Sequence, residues 1–294
     1  MASYMGDCTH YGFMDITQQK TFLTGGLLIM ETFGKGKLIV IEGLDGTGKA
    51  TQTQMAIDYL VKERGMVYGE DVIHTDFPRY GKPSSNMVEH YLSGKFGNNP
   101  DAINPYTVSS FYAIDRAISY NTEKWGEVYR NGGIVILDRY VTANIIYQGA
   151  KLLKDNQYNG LIFRNDLKEF IEWLTKYEYT YNQIPCPDAV LFLMMNKTSN
   201  EKLLTDRGET AIDGDIHEKN TTYLDKCRLT LDQYKNILEH DYILGNQSRN
   251  FFINTNDDNL NVKSKEDIHS EIVKCMSSII DPEPIIEISE PVRR

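Results

Sequence analysis

The sequence predicts an α/β fold: a five-stranded parallel sheet with helices packed on both faces. Two observations carry that expectation. Five short runs rich in Val, Ile, Leu and Phe read as strands buried on both sides: 38–42, 72–75, 134–137, 189–194 and 251–254. The intervals between them hold helical patterns long enough to serve as crossovers, as parallel pairing requires.

The first run leads into the most informative stretch of the chain. Lys37-Leu-Ile-Val-Ile-Glu-Gly43-Leu-Asp-Gly-Thr-Gly48-Lys49-Ala-Thr51 reads as a strand, a glycine-rich turn and a helix beginning at about Lys49. Gly43, Gly48 and Lys49 fit the phosphate-binding pattern G-x-x-x-x-G-K. Glycines let the turn fold back so that main-chain N–H groups point at phosphate oxygens. The helix N-terminus and Lys49 add positive charge. Gly43, Leu44, Asp45, Gly46, Thr47, Gly48, Lys49, Ala50 and Thr51 are therefore expected to cradle the phosphates of a bound nucleotide. Ala50 stands where the pattern has a metal-binding Ser or Thr, so Mg²⁺ falls to Thr51 and to groups elsewhere. With the strand pattern, this predicts the three-layer P-loop NTPase fold.

The next helix is expected to run to about Arg64, with Met55, Ala56, Tyr59 and Leu60 on one face and Gly65 as its stop. Another is expected from Asp166, with Leu167, Phe170, Ile171 and Leu174 at helical spacing. The third strand ends in Asp138-Arg139-Tyr140. Ligands of open parallel sheets sit beyond the carboxyl ends of strands. Asp138 is thus expected to orient Mg²⁺ waters and Arg139 to clamp phosphate.

Composition narrows the function class. A net charge of -10 excludes broad binding to nucleic acid or to an anionic membrane, which needs basic surface. Cys8, Cys186, Cys227 and Cys275 form no C-x-x-C pair, which supports neither a zinc site nor a disulfide framework and points to a reducing cytoplasm. Residues 1–36 read as a poorly ordered extension before a single domain at 37–280, and the acidic, Pro-rich 281–294 reads as a fraying tail. The apolar 21–29 is too short to span a bilayer and lacks a basic flank, so no membrane anchor or secretory signal is expected.

Several stretches together resemble the thymidylate kinases. They are Gly43-Leu-Asp-Gly-Thr-Gly-Lys-Ala-Thr-Gln, Phe77-Pro-Arg-Tyr-Gly, Phe111-Tyr-Ala-Ile-Asp-Arg116, and Asp138-Arg-Tyr-Val-Thr-Ala-Asn-Ile-Ile-Tyr-Gln-Gly149, followed by Asp215-Ile-His-Glu218. They stand in that family's order from about Lys37 to Asn259. The resemblance implies phosphorylation of dTMP to dTDP by ATP and Mg²⁺ in a homodimer. It also implies the roles of individual residues. Tyr112 stacks on thymine, one helical turn from Arg116, which bonds O4. Phe77 and Pro78 form an apolar wall, with the proline in cis, and Phe111 is a neighbour that could share the stacking. Asn144 reads the base edge with Gln148 nearby, and the Tyr147 ring fills the place of a ribose 2′-hydroxyl. Asp45 accepts the 3′-hydroxyl, while Tyr80 and Arg139 hold the acceptor phosphate. Ala143 departs from the family's usual Ser or Thr and leaves one contact in question.

Gly46 occupies the position where many of these enzymes place a P-loop arginine, so a lid at about 205–216 must supply it, and Arg207 is the arginine there. With Lys49, Asp138 and Arg139 it completes the expected catalytic set. Asp215 and Glu218, one helical turn apart, could face the metal or the dTMP phosphate, and Glu218 joins Thr51 and Asp138 as an expected Mg²⁺ group. Adenine is expected near 254–257. Three alternatives stand beside this reading. Asn196-Lys-Thr-Ser199 mimics a guanine-reading motif but lacks its aspartate; the acceptor could be dUMP or dGMP; or the chain could be an inactive nucleotide-binding module.

Overall fold

The computed structural model describes residues 20–24, 27–31, 36–153, 160–206, 215–217, 220–240 and 248–281. Arg207, Glu218, most of the expected lid and the tail beyond 281 lie outside the described residues. Ahead of the main sheet, β1 (Lys20–Thr24) and β2 (Leu27–Glu31) pair as an antiparallel hairpin, with Phe22 opposite Ile29.

The remaining strands form one parallel sheet. They are β3 (Lys37–Gly43), β4 (Val72–Asp76), β5 (Ile134–Asp138), β6 (Ala189–Met194) and β7 (Arg249–Asn254). Their order is β4-β5-β3-β6-β7. All five expected strands are present, each one or two residues longer at one or both ends except β6, which matches. Because β5 and β6 flank β3 and lead to opposite halves of the sheet, the strand order reverses beside β3. A crevice opens there at the carboxyl ends.

Side chains alternate along each strand and so serve two cores. Leu38 and Val40 of β3, Val135 and Leu137 of β5, and Val190 and Phe192 of β6 pack on one face. That face is covered by α4 (Lys124–Arg130), α5 (Val141–Gly149), α6 (Gly160–Thr175) and α8 (Thr221–His240). Ile39, Ile41, Ile136 and Leu191 point the other way. They meet α1 (Lys49–Asp58) and α9 (Lys265–Ile280), whose Ile268, Ile272, Met276 and Ile279 make one buried stripe. Continuous apolar runs are what a strand covered on both faces needs.

The chain continues from α1 in a wider helical turn, Tyr59–Glu63, and stops at Gly65, whose φ of 70° a side chain would resist. Helix α6 begins at Gly160 rather than Asp166, so its apolar stripe Phe163, Leu167, Phe170, Ile171 and Leu174 starts earlier than the spacing alone suggested. Three further helices frame the crevice: α2 (Asn86–Leu92), α3 (Pro105–Thr122) and α7 (Lys197–Asp206). Asp215 lies in the turn before α8 and not on a helix, so its spacing to Glu218 does not define a shared helical face.

Candidate active site

The turn between β3 and α1 is shaped by backbone that only glycine accepts without strain. Gly43, Gly46 and Gly48 have φ of 154°, 79° and 91°. A Cβ on Gly43 would stand 2.8 Å from Thr47 Oγ1 and 3.0 Å from the Leu193 carbonyl, closer than packed atoms allow. Thr47 Oγ1 donates to the Leu44 carbonyl at 2.8 Å, and Lys49 Nζ donates to the same oxygen at 2.9 Å. Beneath the turn, the buried Glu42 carboxylate accepts from Gly43 N at 3.0 Å and from Thr142 Oγ1 at 2.8 Å, which ties the cradle to α5. Asp45, Gly46, Gly48, Lys49, Ala50, Thr51, Asp138 and Arg139 line one open cavity over this cradle.

Arg139 emerges from β5 with a φ of 66°, an uncommon left-handed conformation for a side-chain-bearing residue. Its N–H bonds the Ile41 carbonyl at 3.2 Å, and its guanidinium donates to Asp45 Oδ1. It also lies 5.0 Å from the centroid of the Tyr147 ring. The Tyr147 hydroxyl donates to Asp45 Oδ2 at 2.8 Å, and Lys49 Nζ is 3.8 Å from the same carboxylate. Burial alone would push the Asp45 carboxyl up; Arg139 and Lys49 beside it instead hold it down at about 2. Burial, with Arg139 close by, lowers the Lys49 ammonium below its ordinary value despite the surrounding carboxylates.

A second cavity, ≈ 240 Å³, adjoins the first and shares Asp45, Phe77, Tyr80 and Arg139 with it. Tyr112, Arg116, Tyr140, Ala143, Asn144, Tyr147 and Gln148 complete its inner wall, and Leu92, Asp215 and His217 its rim. Tyr112 and Arg116 are one turn apart on α3; Asn144, Tyr147 and Gln148 recur at the same spacing on α5. The sequence-predicted nucleoside residues are thus brought together, with two exceptions. Pro78, joined to Phe77 by a cis peptide bond, is not on the cavity wall. Phe111 turns toward Phe96, with ring centroids 6.3 Å apart, and does not share the stacking position. Both amide atoms of the fully buried Gln148 lack a hydrogen-bond partner, so this wall carries unspent donor and acceptor capacity.

The donor set suits a hydrated divalent cation that arrives with phosphate. Asp138 Oδ1 is buried without a hydrogen-bond partner on the floor of the cradle cavity, and Thr51 lines the same space. Among the described residues no group of three or more His, Cys, Asp or Glu could hold a metal alone. Phosphate oxygens would have to supply the remaining ligands.

Three neighbours escaped the sequence reading. His217 stacks on Tyr147, with centroids 5.7 Å apart and rings 12° from parallel, and shares a 2.9 Å hydrogen bond with the Tyr91 hydroxyl. Burial, followed by the charge of Lys151, lowers its pKa to about 3, so the ring is neutral. Asn200 of α7 donates from Nδ2 to the Asp45 carbonyl and accepts from Arg228 Nη2 at 2.8 Å. Glu178 binds Arg116 from behind the cavity wall. Two of them left a trace in the sequence: His217 inside the quoted stretch 215–218, and Glu178 as one carboxylate in the aromatic run 177–181.

The fold and the cradle are those of the P-loop nucleotide-binding proteins: a parallel sheet, a reversal of strand order, and a glycine turn feeding a helix. Within that class, this chain is similar to the thymidylate kinases. Residues 41–161 match the thymidylate kinase family model. The Mycobacterium tuberculosis thymidylate kinase is 29% identical over 163 residues, which cover 54% of this chain and 66% of that protein. The Chlamydia felis thymidylate kinase is 36% identical over 113 residues, 38% of this chain and 49% of the relative. The chain thus spans less than two thirds of the length of both. The structure of thymidylate kinase from Candida albicans superposes with a TM-score of 0.56 at 18% identity, over 83% of this chain and 92% of that one, a likeness of fold. No helix among the described residues is long and apolar enough to cross a membrane.

Proposed function

We propose that this chain transfers the γ-phosphoryl group of ATP to dTMP, forming dTDP and ADP. One observation carries the reading: the phosphate cradle and the aromatic, arginine-bearing cavity share Asp45, Phe77, Tyr80 and Arg139 as a common wall. Two nucleotides bound in them meet phosphate to phosphate. Phosphoryl transfer asks for little covalent help, only reactants held in line and charge neutralised. An oxygen of the acceptor phosphate forms the new bond to γ-phosphorus as the β–γ bridging bond breaks.

In this reading Lys49 and the cradle N–H groups hold the donor phosphates, and Arg139 with Tyr80 holds the acceptor phosphate. Asp45 accepts the 3′-hydroxyl, and Tyr147 with His217 stacked behind it excludes a 2′-hydroxyl. Tyr112 stacks on thymine above Phe77, Arg116 donates to O4, and Asn144 and Gln148 meet the rest of the base edge. Asp138 and Thr51, with Glu218 as a further expected group, would hold Mg²⁺, which would supply charge neutralisation for the phosphates. Arg207 supplies the lid cation. Adenine lies in the hollow bordered by Asn196, Asn254 and Asn256.

The reading includes a homodimer, for which Ile114 and Ile118 offer an exposed apolar face one turn apart on α3. It also includes a cytoplasmic setting, consistent with Cys186, Cys227 and Cys275 forming no disulfide among the described residues. A coupled assay with ATP, Mg²⁺ and a panel of monophosphates tests the function. Turnover with dTMP above dUMP, dCMP and the purines is expected, and a preference for dGMP would overturn the base assignment. Tight binding of ATP and dTMP with no turnover would leave only a nucleotide-binding module.

A further inference from the structure

Behind the base-reading wall sits a carboxylate that lines neither of the two cavities described above. Glu178 is fully buried on the wide helical turn 176–181, which follows α6. Arg116 Nε donates to its Oε2 and Nη2 to its Oε1, both at 2.6 Å. The remaining terminal nitrogen of Arg116, Nη1, donates to the Tyr140 carbonyl at 3.3 Å. Asn144, on the neighbouring helix, interacts more weakly with the same carboxylate, and its Nδ2 donates to the Ser109 carbonyl at 3.2 Å.

Stability does not account for such a pair. Burying two ions costs desolvation that their attraction only roughly offsets, and well-packed apolar residues often replace buried pairs without loss. Geometry is what the pair supplies. Arg116 spends three of its N–H groups on fixed protein acceptors, so its plane is set and one N–H is left over on each terminal nitrogen. Asn144, with its amide nitrogen drawn toward protein acceptors, is left to offer Oδ1.

We propose that Glu178 is a positioning residue that sets the hydrogen-bond polarity of the base-reading wall: a donor from Arg116 beside an acceptor from Asn144. That pair complements an imide edge, a carbonyl next to a ring N–H, as in thymine or uracil. It opposes the edge of cytosine, where an amino donor stands next to a ring acceptor. The proposal rests on the reading of this cavity as the acceptor site. It deepens that reading by naming the group that enforces imide over amidine bases.

The test compares the KM for dTMP with the inhibition constant of dCMP, both measured on the full chain with ATP and Mg²⁺. Their ratio does not depend on how much enzyme is active, so a merely structural role leaves it unchanged. In Glu178→Gln the discrimination should fall by about tenfold or more, through a raised KM for dTMP, while the KM for ATP and kcat stay within about threefold. A lower kcat with unchanged discrimination overturns the proposal. Glu178→Asp keeps the charge and withdraws it by one methylene, and serves if the glutamine variant does not fold. About a threefold loss of discrimination is expected there, and none would overturn the proposal equally. An unaltered chain that turns over no dTMP overturns the kinase reading first, a result separate from either variant's.

Discussion

Asp45 and Arg139 pair across the seam between the two cavities, so the site's central cation is already neutralised by a carboxylate from the phosphate cradle. An incoming acceptor phosphate must compete with Asp45 for that guanidinium. Asp45→Asn removes the competitor and also the expected 3′-hydroxyl acceptor. Inorganic phosphate should then inhibit about threefold to tenfold more strongly, while kcat/KM for dTMP falls at least about tenfold. Inhibition constants and steady-state rates read both effects, and unchanged phosphate inhibition would reject the competition.

Lys49 is expected to act on the transferring group more than on affinity. Its ammonium now rests on the Leu44 carbonyl and lies 3.8 Å from Asp45, both of which phosphate oxygens can replace as partners. Lys49→Ala should lower kcat by about a hundredfold to a thousandfold with little change in the KM for dTMP. Near-normal turnover would refute the cradle assignment.

Arg116 should matter for folding as well as for the base. Removing one partner of a buried ion pair strands the other, at about 3–5 kcal/mol. Arg116→Ala should lose roughly that much in denaturant unfolding, and adding Glu178→Gln should recover a large part of it. Binding of dTMP should weaken more than binding of ATP. Equal loss of both nucleotides would count against a role at the base.

Acid should weaken the fold in two stages. His217 titrates near 3 when folded but near 6.5 when unfolded, so the unfolded chain binds the proton first as pH falls. Its contribution is complete above pH 6.5 and declines by about 1.4 kcal/mol per unit down to pH 3. Asp45, held at about 2, adds a loss between pH 4 and 2. His217→Gln should flatten the stability profile between pH 6.5 and 4. A profile equally steep in the variant would exclude the histidine as its source.

Much of this was legible in the sequence because it is local. A strand covered on both faces must be apolar throughout, so β3 to β7 announced themselves, and a glycine turn before a helix has few other uses. Tyr112 with Arg116, and Asn144 with Tyr147 and Gln148, followed from helical spacing once the family resemblance fixed which faces mattered. What stayed hidden is non-local. Glu178 is 62 positions from Arg116, and Asn200 is 155 from Asp45. No periodicity links such pairs; only the folded sheet brings them together. Asp215 misled for the opposite reason, since a spacing of three implied a helix that begins only at Thr221.

Asn200 has a consequence beyond its own contacts. By hooking the main chain at Asp45 from helix α7, with Arg228 of α8 gripping its other end, it couples three elements into one lever. A shift of either helix therefore moves the carboxylate on which both substrates would converge. Exchanges at Arg228, which lines the hollow beside Asn196 and Asn256 and not the cavity that holds Tyr112 and Arg116, should accordingly retune that cavity from a distance.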